Sequence, residues 1–150
     1  MITKPTAPLL LCVGLTACGG GTGGAGLSRS DLDSKANAIC RTASAAGRAI
    51  PVPGNLLTSA TAAAGYFDKV VPVLDKETSD LSALKPDSSV ANDWNAFISL
   101  RKSTDKTIDQ IRQKADAHDP SGIGLLQGLA GPAQQLRAAA LKVGAVDCTR

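Results

Sequence analysis

The sequence predicts an all-α protein, an antiparallel up-down four-helix bundle. Three observations predict it. Apolar residues recur at steps of three and four through four successive segments, the period of helices that bury one face. No segment alternates apolar and polar residues convincingly, as a half-buried strand would. The connections are short and carry proline or glycine, which places consecutive helices antiparallel.

The first helix starts near residues 30–33, where Ser30, Asp31 and Asp33 supply side chains able to cap free backbone N–H groups. Its stripe is Leu32, Ala36, Ile39, Ala43, Ala46 and Ile50, and "PVPG" at 51–54 stops it, since proline cannot continue the hydrogen-bond ladder. The second stripe runs Leu57, Ala60, Ala64, Phe67, Val71, Leu74, Leu81 and Leu84, ending at "KPD". Pro72 lies inside it and leaves the Asp68 carbonyl without its ladder partner, so a kink or a division into two shorter helices is expected there.

Asp87 or Ser88 is placed to cap the third helix, with a stripe at Val90, Trp94, Phe97, Thr104, Ile108, Ile111 and Ala115. "HDPSG" ends it. The fourth carries Ile123, Leu126, Leu129, Ala133, Leu136, Ala140 and Val143. Four glycines and Pro132 crowd its first half, which predicts irregularity or a kink near 131–132. Gly144 sits where a helix C-terminal glycine belongs, with Val146 placed to fold back onto the last turn.

The bulk numbers bound the function. A chain of 150 residues with 43% hydrophobic and 19% charged residues fits one globular domain. A net charge of +3 with no Lys/Arg cluster gives no footprint for nucleic acid. Aromatics are 3%, so the core must come mainly from Leu, Ile, Val and Ala. The acids comprise twelve Asp and a single Glu, Glu77.

The N-terminus reads as an export signal. Lys4 precedes the apolar run "APLLLCVGL", and "LTAC" follows at 15–18. A charged start, a short apolar run and small residues before the cut describe a secretory signal peptide. The run is about half the ~20 residues a spanning helix needs. "LTAC" also resembles the bacterial lipobox, which implies signal residues 1–17, lipidation of Cys18 and cleavage before it. Cys12 within the run reads as another small apolar residue. Two or three acyl chains anchor stably where one is marginal. The "GGGTGGAG" that follows is a flexible tether, assigned to residues 18–29 with Cys18, and 30–150 is the helical bundle domain. It has neither the spacing nor the preceding strand of a phosphate-binding loop.

Cys40 and Cys148 remain in the body. An even pair in an exported protein is most simply a disulfide, and this one would close a loop of about 108 residues, for which chain entropy gives roughly 4 to 5 kcal/mol. A redox-active pair would ask for CxxC spacing or a setting that lowers a thiol pKa, and neither is visible.

"ANAIC" at 36–40, "LSALKP" at 81–86 and "VGAVDC" at 143–148 resemble a group of small exported lipoproteins of actinobacteria. The resemblance covers most of the mature length, and its motifs are structural. It implies a helical envelope domain with a Cys40–Cys148 bridge, and it implies no activity. The group more often has proline where Asp87 stands here.

The residue inventory argues against catalysis. His118 is the only histidine, and zinc sites need three or four ligands. Its "DAHD" surroundings read as a solvated helix end, where histidine suits the dipole, with weak metal binding the sharper alternative. Glu77 alone cannot supply a di-iron bundle, and no serine sits in a nucleophile elbow. Asp105, Asp109 and Asp116 read as a solvated face interleaved with Lys102, Lys106 and Arg112. Trp94 and Tyr66 are the candidate ligand-binding residues, Trp94 beside a groove at the Pro72 kink and the two at different levels of the bundle. No cofactor, metal site or catalytic residue is expected. The reading is a non-enzymatic, lipid-anchored domain on the extracytoplasmic face of the cell membrane, a binding or scaffolding module for an envelope protein or lipid. The alternative is a carrier or sensor of a small apolar ligand held between helices.

Overall fold

A computed structural model of the chain describes residues 26–149. The expected signal peptide with Cys12, the expected lipidation site Cys18 and most of the expected tether lie outside the described residues. Within them the chain is an all-α four-helix bundle. Its first three legs are α1 (Arg29–Arg48), α2 (Ala60–Ala83) and α3 (Ala91–Asp116). The fourth leg is divided into α4 (Ser121–Gly128) and α5 (Ala130–Lys142), and a 3₁₀ turn over Val146–Thr149 follows.

Residues 26–29, assigned to the tether from sequence, belong to the fold, Arg29 as the first residue of α1. Leu27 pairs with the α2–α3 connection, its N–H donating to the Lys85 carbonyl and its carbonyl accepting from Asp87. A Cβ at Gly26 would run into the Pro86 carbonyl, so only glycine fits this approach. Ser28, not a residue of 30–33, caps α1 by accepting from the Asp31 N–H.

α2 starts at Ala60 under a Ser59 cap, so Leu57, expected in its stripe, lies in the preceding loop and is 54% exposed. α2 is one helix across Pro72; of the two sequence alternatives there, division into shorter helices does not occur. Asp87 accepts from both the N–H and the hydroxyl of Ser89 in the turn before α3, while the residue at the cap position itself is Val90. The fourth leg breaks at Leu129, and Pro132 then falls in the first turn of α5, where its missing N–H would have had no partner in any case.

α5 ends in a Schellman arrangement. The Ala145 N–H donates to Ala140 and the Gly144 N–H to Leu141, with Gly144 at φ +79°. The residue that folds back is Ala145, fully buried; Val146, expected in that role, is 47% exposed.

α3 is the central leg, packed on α2, α4 and α5, while the 3₁₀ turn packs on both α1 and α5. Two apolar cores result. One gathers Leu32, Ala36, Cys40, Leu81, Trp94, Phe97 and Leu136 near the start of α1. The other joins Ala63 and Phe67 of α2 to Ile111 and Ala115 of α3 under α4. Each fully buried large side chain contributes about 1.5–3 kcal/mol of transfer free energy.

Candidate functional site

Between the two cores, α2 and α3 carry a polar layer. Along α2 the apolar stripe jumps from Leu74 to Leu81, and Glu77 and Thr78 occupy the gap. Along α3 the equivalent gap after Phe97 holds Arg101 and Asp105. All four are carried inward by the helical period, since a position three or four residues from a core residue faces the same way. Glu77 and Arg101 are each only 7% exposed.

Arg101 Nη2 donates to Glu77 Oε2, and Arg101 Nε donates to Thr78 Oγ1 at 3.2 Å. Thr78 in turn donates its hydroxyl to Asp105 Oδ2. Asp105 Oδ1 has no hydrogen-bond partner among the described residues; Arg101 Nε is 3.5 Å away. Two buried carboxyls therefore share one guanidinium. Burial pushes the Glu77 carboxyl above its ordinary range against the pull of Arg101, and Asp105 adds to the rise. Burial likewise raises Asp105, opposed by the Thr78 hydrogen bond and Arg101.

Asp105 thus departs from the solvated face expected of it. Its neighbours do form that face. Arg112 bridges Asp109 at 2.9 Å and Asp116 at 3.4 Å, and it also reaches Asp68 of α2 at 3.6 Å.

Two clefts flank the contact of α1 with α2, and both touch Ala43, Val73 and Glu77. One, of about 440 Å³, is walled by Ala38, Ile39, Ala46 and Pro72, with Lys76 and Asp80 beside them. The other, of about 270 Å³, is walled by Val70, Leu74 and Gly47, and reaches Arg101 and Cys148. The sequence explains them. α1 buries its stripe only as far as Cys40. Beyond it the inward positions are alanines, too short to fill the space against Val70 and Val73. A third cavity under α4, lined by Phe67, Ile111 and Leu126, holds only about 30 Å³, room for a water-sized body.

Cys40 and Cys148 are joined as a disulfide, with Cα atoms 5.0 Å apart across 108 residues, inside the normal span. The bridge ties the 3₁₀ turn to α1. The same docking is held by Arg41 Nη1 on Asp147 Oδ2 at 2.8 Å and by Asn37, which donates to the Gly144 carbonyl and accepts from the Asp147 N–H. One Glu77 carboxylate oxygen and the two sulfurs lie within 4.8 Å of one another. With the sulfurs bonded to each other, that trio offers a metal no thiolate.

The structure does not bring the two candidate ligand-binding aromatics together. Trp94 is 1% exposed and packs on Phe97 at 5.3 Å between ring centroids. It lines none of the clefts described above. Tyr66 packs edge-on against Phe67 at 5.4 Å, beside a shallow recess formed with Pro51 and Pro53. His118 sits at the end of α3 with φ +56°. Its flanking acids are engaged by cations, Asp116 with Arg112 and Asp119 with Lys114 at 2.8 Å. The Lys114 and Ser121 hydrogen bonds pull Asp119 down to about 2.

Among the described residues no helix is long and apolar enough to cross a membrane. No family model, curated protein or solved structure matches the chain.

Proposed function

We propose that the chain is an exported lipoprotein, held on the extracytoplasmic face of the cell membrane through Cys18, whose bundle is a non-enzymatic binding module. Its ligand is a small apolar or amphipathic molecule seated between α1 and α2. The observation that carries this reading is the pair of clefts meeting at Ala43, Val73 and Glu77. Apolar walls with a few convergent polar groups are the usual composition of a small-molecule site. "LTAC" and the glycines after it support the anchor, as does the resemblance to actinobacterial lipoproteins.

Leu27 pairs with the α2–α3 connection, and a tether leading into it would meet the bundle at that end. The clefts run along the flank of the bundle, so a tethered domain can offer them to the bilayer surface or to solvent.

The test is binding of an apolar fluorophore, N-phenyl-1-naphthylamine, to the wild type and to Ala43→Trp. Ala43 is half-buried and borders both clefts, so an indole there fills them. Saturable binding by the wild type and a loss of about tenfold or more in the variant are expected, since a filled pocket forfeits its apolar contact area. Equal binding by a correctly folded variant refutes the site.

A further inference from the structure

We propose that Glu77 makes the Cys40–Cys148 bridge a proton-coupled site of thiol–disulfide exchange, opened by a dithiol that enters along the α1–α2 cleft. The inference goes beyond ligand binding and stands without it.

Two features of the geometry carry it. A Glu77 carboxylate oxygen and both sulfurs lie within 4.8 Å of one another, a separation that one water or a small side-chain turn closes. The two sulfurs are unequal: Cys148 lines the 270 Å³ cleft and is half-buried, whereas Cys40 is 1% exposed. Attack is therefore directed to Cys148, and Cys40 is the leaving sulfur. A thiolate expelled at Cys40 would be desolvated, and a thiol whose pKa is raised by burial leaves poorly. It needs a proton on departure.

Glu77 can hold that proton. Arg101 and Asp105 face it from α3, Arg48 of α1 borders the same cleft, and Lys76 and Asp80 flank it on α2. Two buried carboxyls share the one buried guanidinium, and burial raises the Glu77 carboxyl above the ordinary carboxylate range against the pull of Arg101.

The step balances. The thiolate of the dithiol attacks Cys148 Sγ and forms a mixed disulfide. The Cys40–Cys148 bond breaks, its electron pair goes to Cys40 Sγ, and that sulfur takes the Glu77 proton. Glu77 is left as a carboxylate against Arg101. The second thiol of the reagent gives its proton to water and displaces Cys148 as a thiolate, and the reagent leaves oxidised, so two electrons have passed to the protein. Cys148 and Glu77 recover protons from water through the cleft.

The experiment is reduction of the folded protein by dithiothreitol, quenched by thiol alkylation, over a range of pH. Rate constants are divided by the thiolate concentration of the reagent, under conditions where the rate is first order in dithiothreitol, so that unfolding is not limiting. The wild-type constant per thiolate should fall by about a hundredfold as pH rises through the Glu77 titration, the low end of what general acids contribute. Glu77→Gln should react slowly with a flat profile, and Glu77→Asp should regain the slope. A flat wild-type profile overturns the proposal, as does an unchanged slope in Glu77→Gln. If Glu77→Gln does not fold, the wild-type profile alone decides.

Discussion

Glu77 and Arg101 form an ion pair across the α2–α3 seam, each 7% exposed, in a layer that separates two apolar cores. The pair is not isolated. Arg101 also donates to Thr78, whose hydroxyl donates to Asp105, so one cation meets two acceptors on α2 and is linked through Thr78 to a carboxylate of α3.

Removing that cation leaves two buried carboxyls uncompensated. Arg101→Met should lower unfolding stability by about 3–5 kcal/mol, the usual cost of breaking a buried pair on one side. Adding Glu77→Met should recover much of it, because apolar side chains of similar volume replace buried ion pairs at little net cost. Urea denaturation of the single and double variants checks this, and an equal loss in both would refute it.

The pH dependence of stability follows from the same layer. Glu77 and Asp105 have raised folded values, so the native state binds more protons than the unfolded chain between the ordinary and raised values. Stability therefore falls as pH rises through that interval. Asp119 and Asp87 are lowered instead. Their contribution is present above the ordinary carboxylate value and lost as pH falls through the folded one, for Asp119 about 2. Urea midpoints should thus peak in the weakly acidic range, and Glu77→Gln should flatten the descent toward neutral pH while leaving the acid limb intact.

The disulfide is the covalent part of the C-terminal docking. Replacing both Cys40 and Cys148 by alanine should cost about 4–5 kcal/mol, from the chain entropy of a loop with sequence separation 108. The C-terminal turn should also lose hydrogen-exchange protection selectively, because its covalent tie to α1 would be gone and non-covalent contacts such as those of Arg41 and Asn37 would have to hold it. Protection unchanged at Asp147 would show that the bridge is not what docks the turn.

Gly144 takes the positive φ that ends α5, and a Cβ there would meet the Asp33 carboxylate. Gly144→Ala should cost about 1–3 kcal/mol, the range for a non-glycine residue held in such a conformation. A thermal melt reads it directly. A neutral result would mean that Asp33 and the turn readjust freely.

Much of the bundle was legible because its helices obey one period. Leu32, Ala36, Phe67, Trp94, Phe97, Ile111, Leu136 and Ala140 were in the expected stripes and are all buried. The glycines before Pro132 marked the break of the fourth leg at Leu129. Boundaries were harder. Leu57 has the right residue type and phase, but the helix waits for the Ser59 cap. The polar layer was missed although a signal existed: both stripes skip a turn, between Leu74 and Leu81 and after Phe97, and charged residues occupy the skipped positions. Read alone, Arg101 and Asp105 look like an ordinary surface pair four residues apart. Only the packing of α2 on α3 shows that Glu77 and Thr78 cover them. The clefts were hidden for a related reason, because alanines at 43 and 46 extend the stripe of α1 without filling the space beside it.

The most direct test of an anchored binding domain is native mass spectrometry of the protein extracted from membranes in mild detergent. The extracted chain should begin at Cys18, carry acyl groups, gain the mass of two hydrogens on reduction, and retain a small molecule that Ala43→Trp does not. An unacylated chain with nothing bound in either form would contradict it.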